Sequence, residues 1–231
     1  MADTLDIPAA GSPEAVAALE DGLRHLQDAL RCPGLEDALA DGELPDALVT
    51  ALEGWWAAYE RYLALVGDSL PLTCRAGCNH CCRHNPRGVS GVEVLWAVRA
   101  ARAHPDGAAM LSEMAGLAVR FDAHAQATGS AAKASAAAGL RGDPCGFLGA
   151  DGRCRVYGSR PAVCRMFVAV TEPAWCDHTH PRHGEARNPH LVPPLILRQL
   201  LLAISQRLGL SGLPRDLWRG VAAYDAQHPV P

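Results

Sequence analysis

Cys74-Arg75-Ala76-Gly77-Cys78-Asn79-His80-Cys81-Cys82 places four thiols within nine residues. Packing alone does not call for such a run. Thiolates bind zinc and iron tightly and are the nucleophiles of redox exchange, so sulfur chemistry is the reason to look here first. On a 3.6-residue helix the four positions fall within roughly 100° of arc. Cys74 and Cys82 would nevertheless lie about 12 Å apart along the axis, whereas the sulfurs of one tetrahedral zinc are under about 4 Å apart. A straight helix therefore cannot bring all four to one ion. Either Gly77 and Asn79 break the segment into turns, or the thiols divide between two metals or join one larger cluster. Sulfurs from elsewhere in the chain are then needed.

Working outward, Cys145, Cys154 and Cys164 stand beside Pro144, Gly152 and Pro161, residues that shape loops and helix starts, and Cys176 follows. Cys176-Asp177-His178-Thr179-His180-Pro181-Arg182-His183 adds three imidazoles, a ligand type suited to zinc and iron alike. His80 and His84 flank the first cluster as further donors. Cys32, followed by Pro33 at the end of a helical stretch, reads as a buried, inert thiol.

The bulk numbers set the class. The chain has 231 residues, 49% hydrophobic, 20% charged and 5% aromatic, with a net charge of −4. Abundant alanine and leucine favour helices over sheets. No basic stripe is legible, which sets nucleic-acid binding aside. No signal-peptide pattern opens the chain, and the apolar run 191–210 is too short and too interrupted to span a bilayer. A cytoplasmic, reducing location is expected, and there nine cysteines point to metal or redox use rather than disulfides.

The expected fold is mainly α, a helical bundle around an irregular cysteine-rich core with at most one short β-hairpin. Ser12-Pro13 begins a helix that runs to about Leu30. A second helix covers Pro45 to Val66, with Trp55 and Trp56 as packing residues. Ser90-Gly91-Val92-Glu93 is a capping box that begins a helix ending before Pro105. Another helix covers Asp106 to Ala127. The alanine-rich stretch 129–142 is open between helix and loop. Asp151-Gly152 is a turn signal, with Phe147-Leu148 set to pair with Arg155-Val156-Tyr157. Two more helices fit Pro194 to Leu208 and Arg215 to Gln227. The expected regions are an N-terminal helical part (1–69), a metal-binding part (70–180), and C-terminal helices (181–231) packed on the same core.

The two cysteine blocks together resemble the YkgJ-type cysteine-cluster family, described as zinc- or iron-chelating domains. Its pattern is C-x3-C-x2-C-C, then P-C-x-F/Y-L…G-x-C-x-I/V-Y-x-x-R-P-x-x-C-R-x-F. Here these are Cys74, Cys78, Cys81 and Cys82, then Pro144-Cys145-Gly146-Phe147-Leu148, Gly152-Arg153-Cys154-Arg155-Val156-Tyr157, Arg160-Pro161 and Cys164-Arg165-Met166-Phe167. The resemblance covers roughly 70–180 and implies metal binding. Related domains accompany flagellin lysine methylases, where an iron–sulfur cluster is attributed to the cysteines. That implication ranks an iron–sulfur cluster such as 4Fe-4S slightly above zinc. It does not carry methylation over, since no glycine-rich nucleotide loop follows a strand here.

The expected metal ligands are Cys74, Cys78, Cys81, Cys82, Cys145, Cys154 and Cys164, with Cys176 as a weaker eighth. The expected function is a metal-binding module for electron transfer, metal handling or service to a partner enzyme. One alternative is a metal-dependent enzyme with an open site near Cys176, His178, His180 and His183. The other is a purely structural zinc site in a helical interaction protein. No Ser/His/Asp arrangement and no HExxH motif argues for independent catalysis.

Overall fold

The computed structural model describes residues 12–39, 44–75, 77–189, 191 and 195–229. Among them the chain forms eight α-helices and no β-strand: α1 (Pro13–Arg31), α2 (Asp46–Gly67), α3 (Gly91–Arg102), α4 (Gly107–Thr128), α5 (Ala131–Arg141), α6 (Ala162–Met166), α7 (Leu195–Arg207) and α8 (Leu217–Gln227). The fold is mainly α. The expected hairpin shrinks to a single antiparallel bridge, Leu148 with Cys154, closed by Gly149 N–H to Arg153 O at 2.7 Å. Tyr157, expected in the return strand, instead begins a one-turn 3₁₀ helix, Tyr157–Ser159. The expected start of the seventh helix at Pro194 lies outside the described residues.

Several helix ends follow from local chemistry. The Ser12 hydroxyl accepts from the Ala15 amide, satisfying one of the free donors at the start of α1. The 129–142 stretch divides: Gly129, at φ 63°, ends α4, and the Ser130 hydroxyl caps α5. Ala134, Ala138 and Gly139 are buried there, so the low-complexity segment is a helix with a small-residue face. At α3, Glu93 Oε2 accepts from the Ser90 amide at 2.7 Å and the Ser90 hydroxyl at 2.6 Å.

One hydrophobic core runs from Leu26 in α1 to Tyr224 in α8. In it α1 lies along α2, α3 packs on α7 and α8, and α4 packs on α5 and α8. Trp55 and Trp56 are core residues, with Trp55 stacked on Tyr59 at 5.0 Å between ring centroids. Cys32 is buried in the same core. No helix among the described residues is long and apolar enough to cross a membrane.

This frame holds the irregular segments in place. Trp56 Nε1 donates to Arg160 O at 3.0 Å, and the Tyr59 hydroxyl donates to Leu191 O at 3.1 Å, so α2 supports the chain on both sides of Cys164. The buried Asn85, just past the first cysteine cluster, donates to Asp216 Oδ1 at 2.8 Å and accepts from the Trp218 amide at 3.2 Å. Asp216 is also the cap of α8, which fixes that helix against the cluster's C-terminal end.

Candidate metal centre

The first cysteine segment is not a continuous helix. Gly77 takes φ 87°, a left-handed backbone conformation that glycine adopts without steric cost, and a single 3₁₀ turn, His80–Arg83, follows. Past this break, Cys81 and Cys82 line a cavity that Cys74 and Cys78 do not. The helix-length obstacle is thus resolved by division of the four thiols.

Backbone contacts join the two cysteine blocks. The Cys145 amide donates to the Cys82 carbonyl at 2.8 Å, and Arg83 Nη1 donates to Gly142 O at 2.9 Å. Gly152 sits at φ 76°, and a β-carbon there would lie 3.0 Å from the Gly77 carbonyl oxygen. Glycine at 152 therefore serves both the turn and the close approach of the blocks. Glu93 adds a third tie: its Oε1 accepts from the Ala162 amide at 2.8 Å, at the first residue of α6, which carries Cys164. Arg165 completes the frame, donating to the carbonyls of Arg160 (2.9 Å), Tyr157 (3.0 Å) and Gly158 (2.8 Å) and pairing with Glu60.

Between these segments lies a cavity of about 560 Å³. Cys81, Cys82, Cys145, Cys154, Cys164 and Cys176 line it. Phe147, Val156, Val163, Met166 and Phe167 give it an apolar wall, and His84, His178 and His183 stand on another side. Cys74 and Cys78 lie outside the cavity lining. They are hydrogen-bonded to each other, and the Ala169 amide donates to Cys74 Sγ at 3.1 Å. All nine cysteines are free thiols.

The histidines divide as well. His84 and His178 rings lie 4.2 Å apart, as do those of His178 and His183. His180 does not line the cavity, and its Nδ1 accepts from the Arg182 amide at 3.1 Å. His80 faces Asp177, Nδ1 to Oδ2 at 3.6 Å. Gly139 carries no sequence motif, yet a β-carbon there would come within 2.9 Å of the His178 ring, so the small-residue face of α5 makes room for the imidazoles.

Charge around the thiols follows the same division. Burial pushes Cys145 well above the ordinary thiol range, and it pushes Cys164 up to about 12 against the pull of the Arg160 guanidinium. Cys81 is raised by its hydrogen bond with Cys82 and then by burial. Burial, followed by the neighbouring Cys78 and Cys81, raises Cys176 to about 11. Cys78 goes the other way, down to about 6, first through the hydrogen bond with Cys74 and then through the His80 amide and the charges of His80 and Arg75. Cys74 rises in exchange, so this pair shares one proton.

The donor set fits a thiophilic metal: six sulfurs, three imidazoles and an apolar wall face one cavity. Among the described residues, no three Cys, His, Asp or Glu side chains are already gathered to hold one ion. Closing a set around a metal therefore takes side-chain rotation and the loss of protons from buried thiols.

Comparison with known proteins agrees with this donor chemistry. Residues 73–181 match the model of the CxxCxxCC family, described as "Putative zinc- or iron-chelating domain". The match covers just under half of the chain and includes both cysteine blocks. Neither a search of curated proteins nor one of solved structures returned a match. The match begins one residue before Cys74 and ends beyond His180, so it contains all eight cysteines that the sequence marks as expected ligands. The helices before it and α7 and α8 after it supply the packing that holds its loops.

Proposed function

We propose that the CxxCxxCC domain holds an iron–sulfur cluster, or zinc as the simpler occupant, and that the protein serves electron transfer, metal handling or a partner enzyme in a reducing, cytoplasmic setting. The observation that carries this reading is the convergence of six cysteines from separate segments on one cavity with an apolar wall. Cys81, Cys82, Cys145, Cys154 and Cys164 are the proposed ligands there, with Cys176 at the edge. Cys74 and Cys78 form a neighbouring pair within electrostatic reach of Cys81 and Cys176. About 560 Å³ is far more room than one tetrahedral ion with bonds of about 2.3 Å fills, which favours the larger group. A cluster there supplies one-electron exchange, and its largely apolar wall helps set the potential.

Anaerobic purification followed by iron, zinc and sulfide analysis and a visible spectrum tests the proposal. Iron with acid-labile sulfide and broad visible absorption is the expected result, and a colourless zinc protein rules out the cluster. Cys81→Ser is expected to release metal; unchanged stoichiometry counts against the assignment. A second reading, an enzyme with an open metal position, draws on His84, His178 and His183 sharing the cavity. Under that reading, cyanide or azide added to the metal-loaded protein shifts its spectrum. No shift leaves the closed, all-thiolate centre.

A further inference from the structure

Arg160 lines the cavity together with its six cysteines. Its neighbours include Cys81, Cys82, Cys154 and Cys164. No carboxylate among the described residues lies within ion-pair distance of it. Arg165, five residues away, has Glu60 as its counter-ion, and Arg155 has Asp106 and Glu113. Arg160 instead donates to the Cys164 carbonyl and lies 5.1 Å from the Tyr157 ring centroid. A largely buried cation without a carboxylate partner carries a desolvation cost that the metal-free, protonated thiols do not offset.

Four thiolates around a zinc ion, or around a cubane of four irons and four sulfides, leave a negatively charged assembly. Such an assembly supplies the counter-charge that Arg160 lacks. We infer that Arg160 is the charge-compensating residue of the metal centre, a positioning residue whose fixed positive charge stabilises the thiolate-bound, net-negative state. This rests on the proposed metal centre and deepens it. Two consequences follow from electrostatics. Removing the positive charge weakens metal retention, because the charge attracts the loaded site more than the neutral thiols. It also lowers the midpoint potential of an iron–sulfur cluster, because reduction adds negative charge beside the same group.

The structure also separates charge from packing. Arg160's carbonyl accepts from Trp56 and Arg165, and these bonds do not involve its side chain. Arg160→Gln keeps a side-chain donor for the Cys164 carbonyl but removes the charge. Arg160→Lys keeps the charge but loses the planar guanidinium. Trp56→Phe removes one bond to the same residue's backbone and leaves the guanidinium alone.

The four proteins, purified anaerobically in their full length, are compared by metal content and by zinc or iron loss to a competing chelator. If iron is present, midpoint potentials are measured as well. Arg160→Gln is expected to lose metal affinity by on the order of tenfold or more and to show a lower potential. Arg160→Lys should stay within a few-fold of the unsubstituted chain, and Trp56→Phe should match it. Equal loss in the Gln and Lys variants overturns the inference in favour of packing, and so does metal retention by Gln equal to the unsubstituted chain's. Should the unsubstituted chain itself hold no metal, the metal-centre proposal has failed, a result distinct from any difference among the variants. If Arg160→Gln does not fold by circular dichroism, the comparison of Lys with Trp56→Phe still decides: a Lys variant that loses metal while Trp56→Phe keeps it refutes the charge role.

Discussion

Glu93→Ala is expected to destabilise this protein strongly, and the size of the effect follows from three hydrogen bonds. The carboxylate is 3% exposed and accepts from the Ser90 amide, the Ser90 hydroxyl and the Ala162 amide at 2.7, 2.6 and 2.8 Å. Alanine leaves three donors without their acceptor at a buried position. Hydrogen bonds to charged groups contribute about 1.5–3 kcal/mol each, and losses at one residue do not add fully, so roughly 4–6 kcal/mol is expected. For a chain of this size that lowers the melting temperature by on the order of 10–20 °C. Glu93→Gln is the sharper test. Its amide oxygen can keep the Ser90 side, but its NH₂ then meets the Ala162 N–H, a donor facing a donor. About 2 kcal/mol and about 5 °C are expected, together with weaker metal retention, since Ala162 begins the helix that presents Cys164. Thermal unfolding by circular dichroism, beside metal analysis, gives both readouts. A Glu93→Gln protein as stable and as metal-retentive as the parent would show that the α3–α6 tie does not hold the site.

Two further outcomes are expected. Gly152→Ala places a side chain on a left-handed backbone and within 3.0 Å of the Gly77 carbonyl, and should cost on the order of 1–3 kcal/mol by chemical denaturation. Addition of metal should recover part of that loss; an unaltered denaturation midpoint would refute the close packing of the two cysteine blocks. The second outcome concerns pH in the metal-free chain. Burial, then the nearby His178, lowers His84 from 6.5 to about 4. The unfolded chain therefore binds a proton that the folded chain refuses, and stability should fall as pH drops from about 6.5 to about 4, then stop falling on this account. His84→Gln should flatten that slope, measured as denaturation midpoints across the interval. A slope unchanged in the variant would place the effect on another group.

The helical frame was legible because its signals are local. Ser12-Pro13, the Ser90–Glu93 box and the stop before Pro105 are statements about a few adjacent backbone groups, and packing did not override them. That a straight helix cannot bring the four thiols to one ion was legible for a different reason, since helix rise and metal–sulfur bond lengths cannot both be met; the break at Gly77 was one of the outcomes this left open. What stayed hidden was tertiary. That Glu93 also receives the Ala162 amide, that Gly139 clears room for His178, and that Arg160 stands among thiols are contacts between residues far apart in sequence. Arg160 and Arg165 were visible as letters of a motif, but only the fold gives them different surroundings. Of the short hairpin expected around Asp151-Gly152, the turn and the Arg155 N–H to Phe147 O bond at 2.8 Å form, while Tyr157 is drawn into its own 3₁₀ turn beneath Arg165.

The bond from the Cys145 amide to the Cys82 carbonyl bears on how the protein meets its metal in time. A chain growing from its N-terminus exposes Cys74–Cys82 long before Cys145, Cys154 and Cys164 have been made. An ion captured at that stage finds the wrong partners, or only water, to complete its coordination. The amide–carbonyl bond, the Gly152–Gly77 contact and the Glu93 tie use only backbone and carboxylate groups, so they can set the register of the two halves without a thiolate–metal bond. Under the proposed function, the outline of the site can form before any metal binds, and loading can follow folding.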